Sequence, residues 1–353
     1  MDFSRYGIPN KEWLELVAGN PAVGRDASIS IDHLGAAELR AAVNSVRETE
    51  SKRLINQSNL AHKINIQTLY IPSRSGHSIP LRRYSPNDSR ESRSGLIYFH
   101  GGGYLFGSEG TNDYHCAKMA DSLGVKVLSV IYRHTPDWQH PAQHEDALDA
   151  LVYIKANASN LGIDEGVGVL GISAGAGLAA AITISELEMP EDRFIKGVVL
   201  GIPWLIHVEN YPFELFAEPH LSSQQQCREA PVIPWPRLKM FSDLLHANKC
   251  DPQLNVALAP NESLRRFPRT AILVAGMDPL RDDGLVLATK LQSLGVPTNV
   301  SVFPGLPHGF SRWADLPASK AFNSRMLDCI RWTLGLDECL KDNFEDWYEY
   351  TDK

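Results

Sequence analysis

Cysteine is scarce. Cys116, Cys227, Cys250, Cys329 and Cys339 are the only five in 353 residues, and none forms the C-x-x-C pair of a zinc site or a redox dithiol. Odd in number and scattered, they read as free thiols of a reducing compartment. No run of eighteen apolar residues occurs, so no membrane span is expected. The opening MDFSRYGIPNKEW lacks the apolar stretch of a signal peptide, and the closing YTDK is no retention or peroxisomal address, so a cytoplasmic location is expected. Basic excess is missing too. Lys and Arg number 34 against 42 Asp and Glu, a net charge of −8, which argues against nucleic acid as a partner. The pair Arg82-Arg83 sits in a strand-like segment. There are no internal repeats.

What remains is ordinary for a folded enzyme: 43% hydrophobic and 22% charged residues. The length suits one large domain with an elaboration. Residues 1–65 mix Gly, Pro and polar residues, with an amphipathic helix expected over 33–55. From about 66, strands alternate with helices. INIQTLYIP, IPLRRYSP, LIYFH, VKVLSVIY, GVGVLGIS, FIKGVVLGIPW, TAILVAG and TNVSVFPG read as strands. Helices are expected at 111–124, 145–162, after Ser173, at 284–295 and at 318–334. The alternation breaks over 205–265, which is rich in Pro, Gln, His and aromatics and reads as an inserted cap. The acidic, aromatic tail DECLKDNFEDWYEYTDK reads as a surface helix packed by its Trp and Tyr. The pattern predicts an α/β fold: a mostly parallel sheet with helices on both faces, catalytic residues in 66–204 and 266–353, and ligands at the strand C-termini.

Gly171-Ile172-Ser173-Ala174-Gly175 is a G-x-S-x-G that follows a strand and opens a helix. A serine on so tight a turn is forced into a strained backbone, and side chains two residues to either side would clash. Ser173 is therefore the candidate nucleophile, against the plainer reading of a Gly/Ser turn. Gly166 to Gly171 also matches the dinucleotide fingerprint G-x-G-x-x-G, but its glycines run into a strand instead of following one. His100-Gly101-Gly102-Gly103 comes directly after LIYF. Three ordered glycines imply a backbone held close to something, and their amides, with that of Ala174, can surround one negative oxygen.

A serine nucleophile needs a base and a carboxylate behind it. Asp278 follows AILVAG, and His308 follows VSVFPG. Ser173 and Asp278 are 105 residues apart and Asp278 and His308 are 30 apart, room for a helix and a strand in the second gap. Asp282 and Asp283 compete with Asp278, with capping of the following helix as their plainer role. His134, His140 and His144 cluster near Glu145 and Asp146. H-E-D-A-L is not H-E-x-x-H, and helix capping and loop packing account for them better than a metal.

The joint occurrence of HGGGYLFGS, YRHTPDWQHPAQHEDALDA, GISAGAGLAAA, AGMDPLRDDG and GLPHGF, in that order, resembles the hormone-sensitive lipase type of α/β hydrolase, a carboxylesterase family. The resemblance spans about 66–334. It implies a triad of Ser173, Asp278 and His308, and an oxyanion hole of Gly102, Gly103 and Ala174. It also implies a cap from 1–65 and 205–265, and no metal or organic cofactor. Two positions depart from the family pattern: Ile172 stands where Asp is usual, and Ala176 where Gly is usual. The expected activity is hydrolysis of a small-molecule ester, with secondary-metabolite tailoring as one setting. A lyase, cyclase or acyltransferase on the same scaffold is the alternative, and a homodimer is left open.

Overall fold

The computed structural model describes residues 1–24, 34–87, 93–189, 193–336 and 348–351. Among the described residues, nine strands form one sheet: β1 (Ile64–Pro72), β2 (Ser78–Pro86), β3 (Gly95–Phe99), β4 (Lys126–Val130), β5 (Val167–Ile172), β6 (Ile195–Gly201), β7 (Arg269–Met277), β8 (Thr298–Pro307) and β9 (Tyr348–Glu349). Their order is β1-β2-β4-β3-β5-β6-β7-β8-β9. β2 is antiparallel to both neighbours, and every pairing from β4 to β9 is parallel. The central strands are buried along their whole length, as GLIYF and VGVLG show. Such continuous apolar runs mark a sheet covered on both faces.

Among the described residues, eight helices have nine residues or more: α1 (Lys11–Gly19), α2 (Ala36–Gln57), α3 (Asp113–Leu123), α4 (Ala142–Ala156), α5 (Ala174–Leu187), α6 (Trp235–Leu244), α7 (Arg281–Ser293) and α8 (Pro317–Leu334). Two apolar layers separate across the sheet. One joins Phe99, Ile97 and Val169 with residues of α4, α5 and α7. The other joins Leu96, Leu170 and Leu273 with residues of α3 and α8. No described helix is long and apolar enough to cross a membrane.

Two expectations need correction. The helix in the 33–55 region exists, but only Leu39 and Ser51 are buried along it. It is a surface-lying element with a narrow contact, which an amphipathic reading overstates. The tail was expected to be helical. Residues 337–347, Trp347 among them, lie outside the described part, while Tyr348–Glu349 extends the sheet beside β8. There the open edge of β8 supplies backbone partners, Tyr350 stacks on Phe303 at 5.6 Å, and Glu349 takes hydrogen bonds from Arg5 and Tyr6. Over 205–265 the chain folds into short helical turns and α6.

Candidate active site

The register of the sheet brings the predicted residues to one rim. Phe99 lies opposite Gly171, and Ile172 opposite Gly201, so the loops after β3 and β5 leave the sheet side by side. β7 and β8 end together, with Met277 opposite Pro307. Asp278 and His308 are the next residues on each strand.

Ser173 sits between β5 and α5 with φ 55° and ψ −120°, a conformation that costs on the order of 1–3 kcal/mol for a non-glycine residue. Its backbone is pinned on both sides: its N–H donates to Gly201 O at 2.8 Å, and its carbonyl accepts from Trp204 N at 3.2 Å. The flanking glycines are required sterically. A Cβ on Gly171 would lie 2.2 Å from Gly175 O, and one on Gly175 would lie 2.2 Å from Phe99 O.

His308 bridges the other two side chains. Its Nε2 is 3.0 Å from Ser173 Oγ, and its Nδ1 is 2.7 Å from Asp278 Oδ2. The second carboxylate oxygen of Asp278 accepts from Leu280 N at 2.9 Å, which fixes its rotation. All three residues are buried, yet Ser173 keeps 8% of its surface. The neighbouring Cys227 thiol is no rival nucleophile, because burial pushes its pKa up to about 12.

The His100–Gly103 loop approaches Ser173 directly: a Cβ on Gly101 would meet Ser173 Cβ at 3.2 Å. Gly102 has φ 141°, open to glycine but hardly to other residues. Among the described residues, no acceptor takes the amides of Gly102 or Gly103. The Ala174 amide opens α5, where first-turn N–H groups have no intrahelical partner. Tyr132 steadies the loop by donating to His100 O at 2.8 Å. Burial lowers the His100 pKa to about 4, so its ring is neutral. From above, the Phe241 ring covers Gly103, whose added Cβ would fall 2.4 Å from it. Asn44 of α2 clasps Gly107 through two hydrogen bonds of 2.8 and 2.9 Å. Both the N-terminal region and the 205–265 segment therefore touch the rim.

The rival carboxylates go elsewhere. Asp282 and Asp283 start α7 but do not cap it, since Leu280 is the cap residue and carries no side-chain bond. Asp282 pairs with the fully buried Arg281 at 2.6 Å and accepts from Ser223 N at 2.6 Å. Asp283 accepts from Leu205 N and Ile206 N at 2.8 and 2.9 Å. Burial raises the Asp283 pKa well above the usual carboxylate range. These residues fasten the 205–265 segment to the sheet, a role invisible to short-range pattern reading. Three charges in PLRDDG immediately after a buried strand were the available signal.

The clustered histidines do not cap α4 either, whose start has no side-chain cap. His134 stacks on His100 at 5.2 Å, and His140 meets His144 edge-on at 4.9 Å. Asp146 is taken by Arg133 at 2.8 Å. Ring packing in a buried layer accounts for them. Among the described residues, no group of three or more His, Cys, Asp or Glu could hold a metal ion. Gly166–Gly171 falls mostly within β5, and an added Cβ on Gly168 would touch Leu334, so packing explains that glycine. A surface hollow of about 460 Å³ exists, but it is lined by residues such as Glu209, Tyr211, Glu214 and Lys290 and contains no histidine or serine. The hydrogen-bonded Ser173, His308 and Asp278 lie apart from it, at the strand rim.

A family model for the α/β-hydrolase fold matches residues 96–312. The chain belongs to the hormone-sensitive lipase type of α/β hydrolase. It is a carboxylesterase-like enzyme of that family. Versiconal hemiacetal acetate esterase of Dothistroma septosporum is 32% identical over 67% of this chain and 72% of its own length. Ethyl acetate hydrolase of Pseudomonas putida is 31% identical over 78% and 86%. Among solved structures, vibralactone cyclase superposes with a TM-score of 0.83 at 23% identity, over 94% of this chain and 96% of that one. At that identity the likeness is one of fold.

Proposed function

We propose that this α/β hydrolase cleaves a small carboxylic ester through an acyl-enzyme on Ser173. The observation that carries the reading is the continuous chain from Ser173 Oγ to His308 Nε2 at 3.0 Å and from His308 Nδ1 to Asp278 at 2.7 Å. Ser173 attacks the acyl carbon while His308 takes its proton, and Asp278 stabilises the imidazolium that forms. The amides of Gly102, Gly103 and Ala174 receive the negative oxygen of the tetrahedral intermediate. Losing one such donor costs on the order of 10² to 10³ in turnover. His308 then protonates the leaving alcohol. Water, deprotonated by the same histidine, releases the acid from Ser173 and restores the hydroxyl.

Residues 66–204 and 266–353 would form the catalytic domain, with 1–65 and 205–265 as its cap. The contacts of Asn44 and Phe241 with the oxyanion loop support that division. Both esterase relatives named above carry acetate in their names, and Phe241 restricts the space over Gly103. A short acyl group therefore fits best. The versiconal relative favours a place in secondary-metabolite tailoring.

A fluorophosphonate probe should add mass at Ser173, and a series of p-nitrophenyl esters should lose turnover as the acyl chain lengthens. Labelling that persists in Ser173→Ala would end the nucleophile assignment. Ring closure or acyl transfer would use the same serine. Release of free acid distinguishes hydrolysis from both, and no observation on this chain favours either.

A further inference from the structure

The inward stripe of α2 is polar. Arg40, Asn44, Glu48 and Ser51 follow one another at four- and three-residue intervals, which puts them on one face of the helix. Arg40 donates to Thr135 O at 3.0 Å, Ser108 Oγ donates to Glu48, and Tyr114 N donates to Ser51 Oγ at 3.0 Å. Asn44 differs from the other three in spending both ends of its side chain on one residue. Its Nδ2 donates to Gly107 O at 2.8 Å, and its Oδ1 accepts from Gly107 N at 2.9 Å. The two residues are 63 apart in sequence.

Gly107 is buried and closes the loop that begins at His100. Its φ is 145°, and a Cβ added to it would lie 2.0 Å from His100 Cε1. Asn44 therefore seats Gly107 against the ring of His100. Within the loop, Leu105 N and Phe106 N both donate to Gly102 O, at 3.0 and 2.9 Å. That carbonyl and the Gly103 N–H belong to one planar trans peptide and point in opposite directions. Holding the carbonyl thus aims the Gly103 N–H. Phe106 is joined by its own peptide to Gly107, whose N–H Asn44 holds. The line runs from Asn44 through Gly107 and the Phe106 amide to Gly102 O, and so to the Gly103 amide. Consecutive glycines are costly to order, and Asn44 brings bonds to them from a separate element.

We propose that Asn44 is a positioning residue of the reaction: by holding Gly107 it aims the Gly103 amide at the oxygen of the tetrahedral intermediate. It touches neither the substrate nor the three hydrogen-bonded side chains. The inference rests on the ester-hydrolase reading above, with its oxyanion amides, and adds to that reading a residue from the N-terminal helix. An amide set for the tetrahedral oxygen favours the transition state over the bound ester. The effect of Asn44 therefore falls on kcat and not on KM.

The test compares 4-nitrophenyl acetate with 4-nitrophenyl thionoacetate, in which sulfur replaces the carbonyl oxygen. Sulfur is larger and a poorer acceptor, so it draws little from amides set for oxygen. Wild type should favour the acetate by about tenfold or more beyond the preference that hydroxide alone shows. Asn44→Ala should lower kcat by about tenfold on the acetate and by about twofold or less on the thionoacetate, with KM for both within about twofold of wild type. Alanine is a strong helix former and Asn44 is only half-buried, so the variant keeps its fold. Ser51→Ala removes a different hydrogen bond of α2 and should leave kcat and the ratio of the two esters within about twofold of wild type. A lowered urea midpoint in Asn44→Ala with kcat and ratio unchanged makes the residue purely structural and overturns the proposal. An equal loss on both esters overturns it too. So does a Ser51→Ala variant that loses as much as Asn44→Ala, because the effect then belongs to the seating of the whole helix. A wild-type ratio no larger than that of hydroxide, with Ser173 still labelled by fluorophosphonate, refutes the oxyanion amides and this proposal with them. No acid released from the acetate, and no labelling of Ser173, would instead sink the hydrolase reading beneath it.

Discussion

Asp283 offers the sharpest test of how the 205–265 segment is held. One carboxylate oxygen, Oδ2, accepts from both Leu205 N and Ile206 N, and the side chain is buried at 1% exposure. Asp283→Leu removes that oxygen and leaves two amides with neither water nor partner. At about 1–3 kcal/mol for each unsatisfied buried donor, the loss is about 2–6 kcal/mol. Asp283→Asn keeps a carbonyl oxygen within reach of both amides. It also removes a carboxylate whose pKa is raised well above its ordinary value, by burial first and by the Asp282 and Asp278 charges as well. The sign follows from the raised value. The folded protein holds that proton more tightly than the unfolded chain, so the wild type loses stability as pH climbs above the unfolded carboxylate value of about 3.9. Asparagine has no such loss and should gain on wild type between about pH 4 and pH 8. Urea denaturation followed by tryptophan fluorescence, at both ends of that range, measures each difference. Equal destabilisation by Leu and Asn would refute the two-acceptor argument. An Asn variant that loses ground to wild type as pH rises would refute the electrostatic one.

Three further outcomes are expected. Asp278→Asn should retain the fold and lower kcat by about 10⁴, because the amide no longer supports the imidazolium; a stopped assay with p-nitrophenyl acetate measures it. Tyr132→Phe removes the donor to His100 O and should lower kcat by about tenfold with little change in KM, whereas a pure stability loss with normal kcat would deny the hydroxyl a part in positioning the glycine loop. Acid should unfold the protein early. Burial holds His100 at about 4 and His144 at about 3, with His134 well below its ordinary value. The unfolded chain binds those protons below about pH 6.5, so each histidine removes up to about 1.4 kcal/mol per pH unit as pH falls from there. His144→Gln should flatten the urea midpoint against pH, and an unchanged slope would count against burial as the cause.

The parts of the site legible in the sequence were those encoded locally. Ser173 stands out because its turn demands glycine at 171 and 175, and the backbone contacts at 2.2 Å state the demand in distances. Asp278 and His308 stand out because a parallel sheet puts every strand end on one rim. The strands themselves were legible because buried runs such as KVLSV and ILVAG leave little alternative. What escaped were pairings across long separations. Asp283 meets Leu205 from 78 residues away, and Asp282 meets Ser223 from 59. Two aspartates at a helix start look like caps when only their neighbours are known. The ninth strand escaped for the same reason. Tyr348 and Glu349 carry no strong strand pattern, and it is the free edge of β8 that gives them one.

These long-range pairings converge on Ser173. The strained backbone of Ser173 needs something outside its own turn to hold it, and Trp204 N supplies that by donating to the Ser173 carbonyl. Leu205 and Ile206, the next two residues, are the ones Asp283 grips. A buried carboxylate on α7 therefore fixes the stretch of chain that fixes the serine. The arrangement makes a specific demand on the Asp283→Leu variant. If that stretch only closes the cleft, its loosening should raise KM and leave the rate of fluorophosphonate labelling at saturating probe unchanged. If it holds the serine in its strained conformation, the saturated labelling rate itself should fall by about tenfold or more, as small misplacements of a reacting group cost that much or more in rate. The hydrogen bond from Trp204 requires the second outcome, and the first would detach the 205–265 segment from the chemistry.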